Sequence, residues 1–282
     1  VERESLLVTL IVLLGGLALQ LFAFMPGRVS DHSPARRQEH RLWLALWWPV
    51  APAVTVAAWL CGWALSQPDP VPKHVGRLIF VAVLPFAMIG LRALMRAVWS
   101  LRRSPPIRAI ATVGVLRPRI VIAPRLQRTL DPQALQAALA HERAHVRHRD
   151  PLRIWLAQLV TDLQWPSNGA RRRFDTWLAG LERARDDEAR ASGVDGADLA
   201  AAVLGAARLQ LETSTTGANL IGRREDLPAR IGRLLQPLPA TSVPEPGYLA
   251  ICGALGIVWL LALSAGLAWG ERLIDALLAI GT

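Results

Sequence analysis

The chain is 282 residues long, 52% hydrophobic and only 19% charged, with a mean hydropathy of +0.29. A soluble domain carries about a quarter charged residues, so the composition excludes one ordinary soluble domain and puts much of the chain in lipid. The net charge of +10 rests on 31 Arg and a single Lys, Lys73; with no aromatic-basic platform and no helix-turn-helix pattern, no direct nucleic-acid partner is expected.

Four apolar stretches can be measured against the roughly 20 residues a helix needs to cross the hydrocarbon core. Residues 5–25 are uncharged, and the preceding Glu2-Arg3-Glu4 is not the basic start of a secretory signal. Residues 42–65 are also uncharged, carry Trp43, Trp47, Trp48, Trp59 and Trp63, and hold Pro49 and Pro52 near one end, where a kink is tolerable. Residues 78–91 are short for a span, but Arg77 and Arg92 can snorkel and Arg96 marks an interface. Residues 247–270 are uncharged again, with Tyr248 and Trp269 where interfacial aromatics belong. Cys61 and Cys252 sit in separate apolar runs and offer neither a disulfide framework nor a thiolate metal site.

Orientation follows from the basic residues between the stretches. Arg28, Arg36, Arg37 and Arg41 outnumber Lys73 and Arg77, which puts the first loop in the cytoplasm. Residues 92–246 then fall on the same side, with 24 Arg against 15 Asp plus Glu, and the excess charge suits a bilayer with an anionic inner leaflet. The reading is an inner-membrane protein with both termini extracytoplasmic.

Within 92–246, the hydrophobic-polar alternation of 113–123 reads as a strand or short hairpin, to whose edge a peptide could add; an internal strand without that role fits equally well. Asp131-Pro132 starts a helix that runs into His141-Glu142-Arg143-Ala144-His145. Two His four apart project from one helical face and suit two corners of a tetrahedral zinc, with Glu142 alongside as a general base. Taken alone, the five residues fit an ordinary exposed helix as well. Asp150-Pro151 then caps the next helix. Phe174 to Ala191 forms a further helix on which Glu182 and Asp186, again four apart, share a face. Glu182 can complete the protein ligands of an open zinc site, and Asp186 can orient a ligating imidazole. By itself this acidic cluster reads first as a solvated face paired with Arg183, Arg185 and Arg190. His148 lies near the same side, but Glu182 is the preferred third ligand. Residues 195–212 and 225–236 read as helices, the latter with Ile231, Leu234 and Leu235 on one side. Residues 214–217 form a Ser/Thr-rich loop, a linker or a self-cleavage site.

Gly114 to Pro124, His141 to His145, Arg149-Asp150 and Glu182 to Asp186 resemble, in order and spacing, the BlaR/MecR-type membrane metallopeptidases. The resemblance implies a mainly α, polytopic membrane protein with four transmembrane helices and a mostly helical, gluzincin-like zinc peptidase domain with a small β element on the cytoplasmic side. It implies one Zn2+ per chain on His141, His145 and Glu182, with Glu142 as catalytic base and Asp186 behind a ligand. The implied partner is a protein substrate, with a transcriptional repressor as the substrate class; the alternative is a noncatalytic signal transducer that keeps the metal core. Residues 1–91 would hold three transmembrane helices, 92–246 the peptidase, 247–270 the fourth helix and 271–282 a short extracytoplasmic tail. Two positions depart from the pattern: Arg143, where such peptidases usually keep an uncharged residue, and Arg185, where the family often has Cys. With only 12 residues after Gly270, no extracellular beta-lactam sensor domain is expected.

Overall fold

The computed structural model describes residues 1–24, 35–67, 69–71, 75–102, 110–213, 227–238 and 272–279. The expected fourth span and the 214–217 loop lie outside them. Among the described residues the fold is mainly α, with one two-stranded sheet.

Helix α1, Arg3–Ala23, is apolar and long enough to cross a bilayer, and contains a π-helical turn at Ile11–Gly15. Helices α2, Ala35–Trp47, and α3, Val50–Ser66, meet at 46°. The break falls at Pro49, which has no N–H to continue the hydrogen-bond ladder of α2. Pro52 costs α3 little, because the first-turn N–H groups of a helix have no partner within it. Helix α4 runs Arg77–Arg102, about 39 Å at 1.5 Å per residue. Among the described residues, two helices are thus long and apolar enough to cross a membrane, or three if the bent pair is one span.

Two expectations change here. The stretch at 42–65 is not one helix: its first part belongs to α2, whose Leu42 and Leu46 are buried with Ala157, Phe174, Trp177 and Leu181. Trp43 and Trp47 therefore pack on protein, Trp43 ring-to-ring with Trp177 at 5.1 Å, whereas Trp48 is exposed. The stretch at 78–91 is likewise the middle of a longer helix. Arg96 also has a protein partner, its Nε donating to Asp162 Oδ2 at 3.1 Å, while Arg92 stacks over Trp165 at 5.0 Å. The face of α4 opposite the buried Ile79, Ala93 and Ala97 exposes Leu84, Met88, Leu91, Met95 and Trp99, as a lipid-facing side should.

After α4, strands β1 (Ile110–Val113) and β2 (Arg119–Ile122) form an antiparallel hairpin with Thr112 opposite Ile120. Gly114 opens the turn at φ +94, where an added Cβ would sit 2.5 Å from the Arg117 carbonyl oxygen. Helices α5 (Pro124–Thr129), α6 (Pro132–Arg147), α7 (Asp150–Leu163), α8 (Asn168–Ala191), α9 (Gly196–Thr213) and α10 (Leu227–Leu234) follow. Asp131 caps α6 by accepting from the Gln133 N–H at 2.9 Å, and Pro132 fills the first helical position. A last helix, α11, spans 272–279.

The helices able to cross a bilayer and the later helices meet at one end. Gln20 of α1 donates to the Leu163 and Trp165 carbonyls, and Ser167 and Arg173 donate to that of Ala23. At the far end, Leu6 and Leu10 pack with Leu60, Trp63, Ile79, and with Ile274 and Leu278 of α11. Within the segment expected as a short tail, residues 272–279 thus form a packed helix.

Candidate metal centre

His141 and His145 stand one turn apart on α6, and both are buried because α6 is covered by α8 and α9. Their Nε2 atoms face each other at 3.0 Å. Glu182 of α8 reaches the same point, with Oε2 3.5 Å from His141 Nε2 and Oε1 3.8 Å from His145 Nε2. Ligands 2.0–2.2 Å from a tetrahedral zinc lie roughly 3.3–3.5 Å from one another. The spacing of these three donors fits one such ion.

Each imidazole has a carboxylate at its other nitrogen. Asp186 Oδ1 lies 2.9 Å from His141 Nδ1, and Asp150 Oδ2 lies 2.8 Å from His145 Nδ1. With a carboxylate beside each Nδ1, the Nδ1–H tautomer of each ring leaves its Nε2 lone pair for the point that Glu182 reaches. Three electron-pair donors converging in a buried place need a cation between them, or a proton on one of them. The His141 imidazole reflects this: burial lowers its pKa, but the Asp186 and Glu182 carboxylates outweigh burial and hold it up at about 9. For Glu182, burial pushes upward, and His141 with the Arg230 guanidinium holds the carboxyl well below the usual range. This donor set, two neutral imidazoles and a carboxylate with carboxylates behind them, fits a zinc ion and leaves a fourth position for water or substrate.

Arginines stand behind the carboxylates in turn. Arg185 Nε and Nη2 donate to Asp150 at 2.5 and 3.1 Å, and Arg153 Nη1 adds a bond at 3.2 Å. Burial would raise the Asp150 carboxyl, but His145 and Arg185 bring it down to about 2. Arg230 of α10 grips Asp186 through Nε and Nη2, both at 2.8 Å, and reaches Glu182 Oε2 at 3.1 Å through Nη1. Two parallel chains result, His141–Asp186–Arg230 and His145–Asp150–Arg185.

Glu142 is buried beside the histidines, and its Oε2 accepts from the Thr112 hydroxyl at 2.6 Å. The hairpin is therefore packed against the helix that carries the histidines. The structure brings His141, His145, Glu182 and Asp186 together, and Glu142 is buried next to His141 on the same helix. His148 is not part of it: its Nε2 lies 2.8 Å from Glu188 Oε2. Of the two unusual arginines, Arg143 is exposed on the other side of α6, whereas Arg185 is buried as the partner of Asp150. Sequence reading missed Thr112 and Arg230, and took Asp150 for a helix cap. No local pattern marks the first two, while Asp150 was flagged by its place in the Arg149-Asp150 pair.

With this geometry in place, comparison with known proteins gives one match. Residues 88–167 match the family model described as BlaR1 peptidase M56. This segment is thus similar to BlaR/MecR-type peptidases, and it includes the hairpin, His141, Glu142, His145 and Asp150. Glu182, Asp186 and Arg230 lie beyond it, so their part in the site rests on the geometry. No curated protein and no solved structure matches the chain.

Proposed function

We propose that the chain is a membrane-embedded, zinc-dependent endopeptidase, with one zinc held by His141, His145 and Glu182. The observation that carries this reading is the convergence of the three donors on one point, with a carboxylate behind each imidazole. Zinc held there would supply a Lewis acid that polarises the scissile carbonyl and makes water a nucleophile near neutral pH.

The chain's own groups do the rest. Glu142 takes the proton of the attacking water and delivers it to the leaving amine. The Thr112 hydroxyl donates to Oε2 of Glu142 and orients the carboxylate for that transfer. Asp186 and Asp150 keep the imidazoles in the tautomer that presents Nε2. Among the described residues β1 pairs only with β2, so its other edge can receive an extended substrate as an added strand.

The substrate in this reading is a cytoplasmic or membrane-proximal protein, with a transcriptional repressor as the class that family analogy names. The peptidase helices face the cytoplasm from a bacterial inner membrane, and both termini are extracytoplasmic. Support for that side comes from the arginine-rich 92–246 segment and from the contacts joining α7 and α8 to the same end of α1.

The test uses detergent-purified full chain, wild type beside Glu142→Ala, with zinc content and cleavage of a fluorogenic peptide library as readouts. An endopeptidase loses cleavage in the variant while keeping about one zinc per chain. A noncatalytic transducer with a metal core shows zinc in both proteins and cleavage in neither.

A further inference from the structure

Helix α10 is only eight residues long and lies beyond the family match, yet it reaches into the metal centre. Its apolar side is anchored by Leu234, buried with Ala137, Ala189 and Leu199, and by Ile231 beside them. The flank next to that side carries Arg230 and Arg233. Arg233 ties down the helix by pairing with Asp187 and donating to the Arg183 carbonyl. Arg230 goes further, bridging Asp186 and Glu182 with a single guanidinium.

Glu182 and Asp186 project from the same face of α8 at i and i+4, where two carboxylates repel each other. Asp186 is buried and cannot turn away, but the Glu182 side chain is 34% exposed and can swing to solvent. A fork of coplanar donors is the group that holds both acids at once: Nε and Nη2 take Asp186, and Nη1 takes Glu182. The bridge keeps Glu182 Oε2 within 3.5 Å of His141 Nε2, and fixes the carboxylate behind His141.

We propose that Arg230 is a positioning residue of the metal centre, holding Glu182 inward as the third ligand and Asp186 on His141. The proposal rests on the reading of His141, His145 and Glu182 as a metal site. It makes the functional unit extend through α10.

The experiment measures zinc affinity of the full chain in detergent by competition with a chromogenic chelator, and the visible spectrum of the cobalt(II) form. Wild type, His145→Ala, Arg230→Gln, Arg230→Lys and Arg233→Gln are compared. Loss of a partner behind a metal ligand weakens metal binding about 10- to 100-fold, and that is the drop expected for Arg230→Gln, with an altered cobalt spectrum as Glu182 leaves. Arg230→Lys keeps the charge without the fork and is also expected to bind more weakly than wild type. Arg233→Gln removes a tie of α10 but touches no ligand, so it should bind like wild type. Equal zinc affinity in wild type and Arg230→Gln overturns the proposal while the metal site stands. So does an equal loss in Arg233→Gln, which would assign the effect to docking of α10. Wild type that binds zinc no better than His145→Ala overturns the metal-site reading itself.

Discussion

Asp150 Oδ2 stands 2.8 Å from His145 Nδ1, and the same carboxylate receives two bonds from Arg185. Three helices meet in this contact: His145 is on α6, Asp150 opens α7 and Arg185 is on α8. The imidazole cannot rotate without breaking a pair that is itself buried, so the orientation of His145 is tied to the packing of the helices.

Replacing Asp150 by Ala should therefore do two things. It removes the two bonds that the Arg185 guanidinium, whose side chain is 3% exposed, makes to Asp150 and leaves it only Glu188 Oε2 at 3.3 Å, and breaking a buried pair costs about 3–5 kcal/mol. It also frees His145 to turn, which should weaken zinc binding about 10- to 100-fold. Thermal unfolding of the metal-free chain and chelator competition read the two effects separately. Unchanged unfolding would mean that Arg185 finds another acceptor.

Thr112→Val should slow cleavage while leaving zinc binding unaltered. The hydroxyl donates to Glu142 at 2.6 Å, and a hydrogen bond to a charged group is worth about 1.5–3 kcal/mol, or roughly a 10- to 100-fold loss in kcat if the bond aims the base. Thr112→Ser keeps the donor and should recover most of the rate. A rate drop that Ser does not recover would point to packing of the hairpin instead.

What could be read from the sequence, and what could not, follows from the distance along the chain. His141, Glu142 and His145 are neighbours on one helix, and Glu182 and Asp186 repeat the same four-residue spacing, so helical geometry alone puts each set on one face. The groups behind them come from far away: Arg230 is 44 residues from Asp186, and Thr112 is 30 from Glu142. No periodicity connects such pairs. The membrane helices show the same limit. Apolar runs located α1 and the core of α4, but hydropathy cannot tell tryptophans that face lipid from Trp43, which packs on Trp177. Nor can it show that Arg96 is answered by Asp162.

The role of α2 leads to a prediction about stability. Trp177 is fully buried between Trp43 and Phe174, and its indole N–H donates to Glu39 Oε1 at 3.1 Å. Arg153 also reaches Glu39, at 2.5 Å, while donating to Asp150. Trp177→Ala should cost about 3–5 kcal/mol, and because it removes the surface on which α2 rests, amide exchange across 35–47 should quicken together with that of α8. Exchange in α2 that stays slow in the variant would show that lipid holds this helix, against the packing described here.

Zinc should stabilise the folded chain through the helices that supply its ligands. A ligand that binds only the native state adds about 2.7 kcal/mol at 100 times its Kd, so the unfolding temperature should rise with free zinc and fall back when a chelator is added. In the metal-free protein the donors of α6 and α8 are held by a proton on His141 and by Arg230; with the ion present they are joined directly, which makes α6 and α8 resist separation. His145→Ala should abolish the zinc-dependent rise, because one corner of the site is gone. The far-end cluster around Leu6, Leu60 and Ile274 shares no residue with the site, so its amide exchange should not respond to zinc. A zinc-dependent slowing there would show that the ion's effect reaches the far end of the membrane helices.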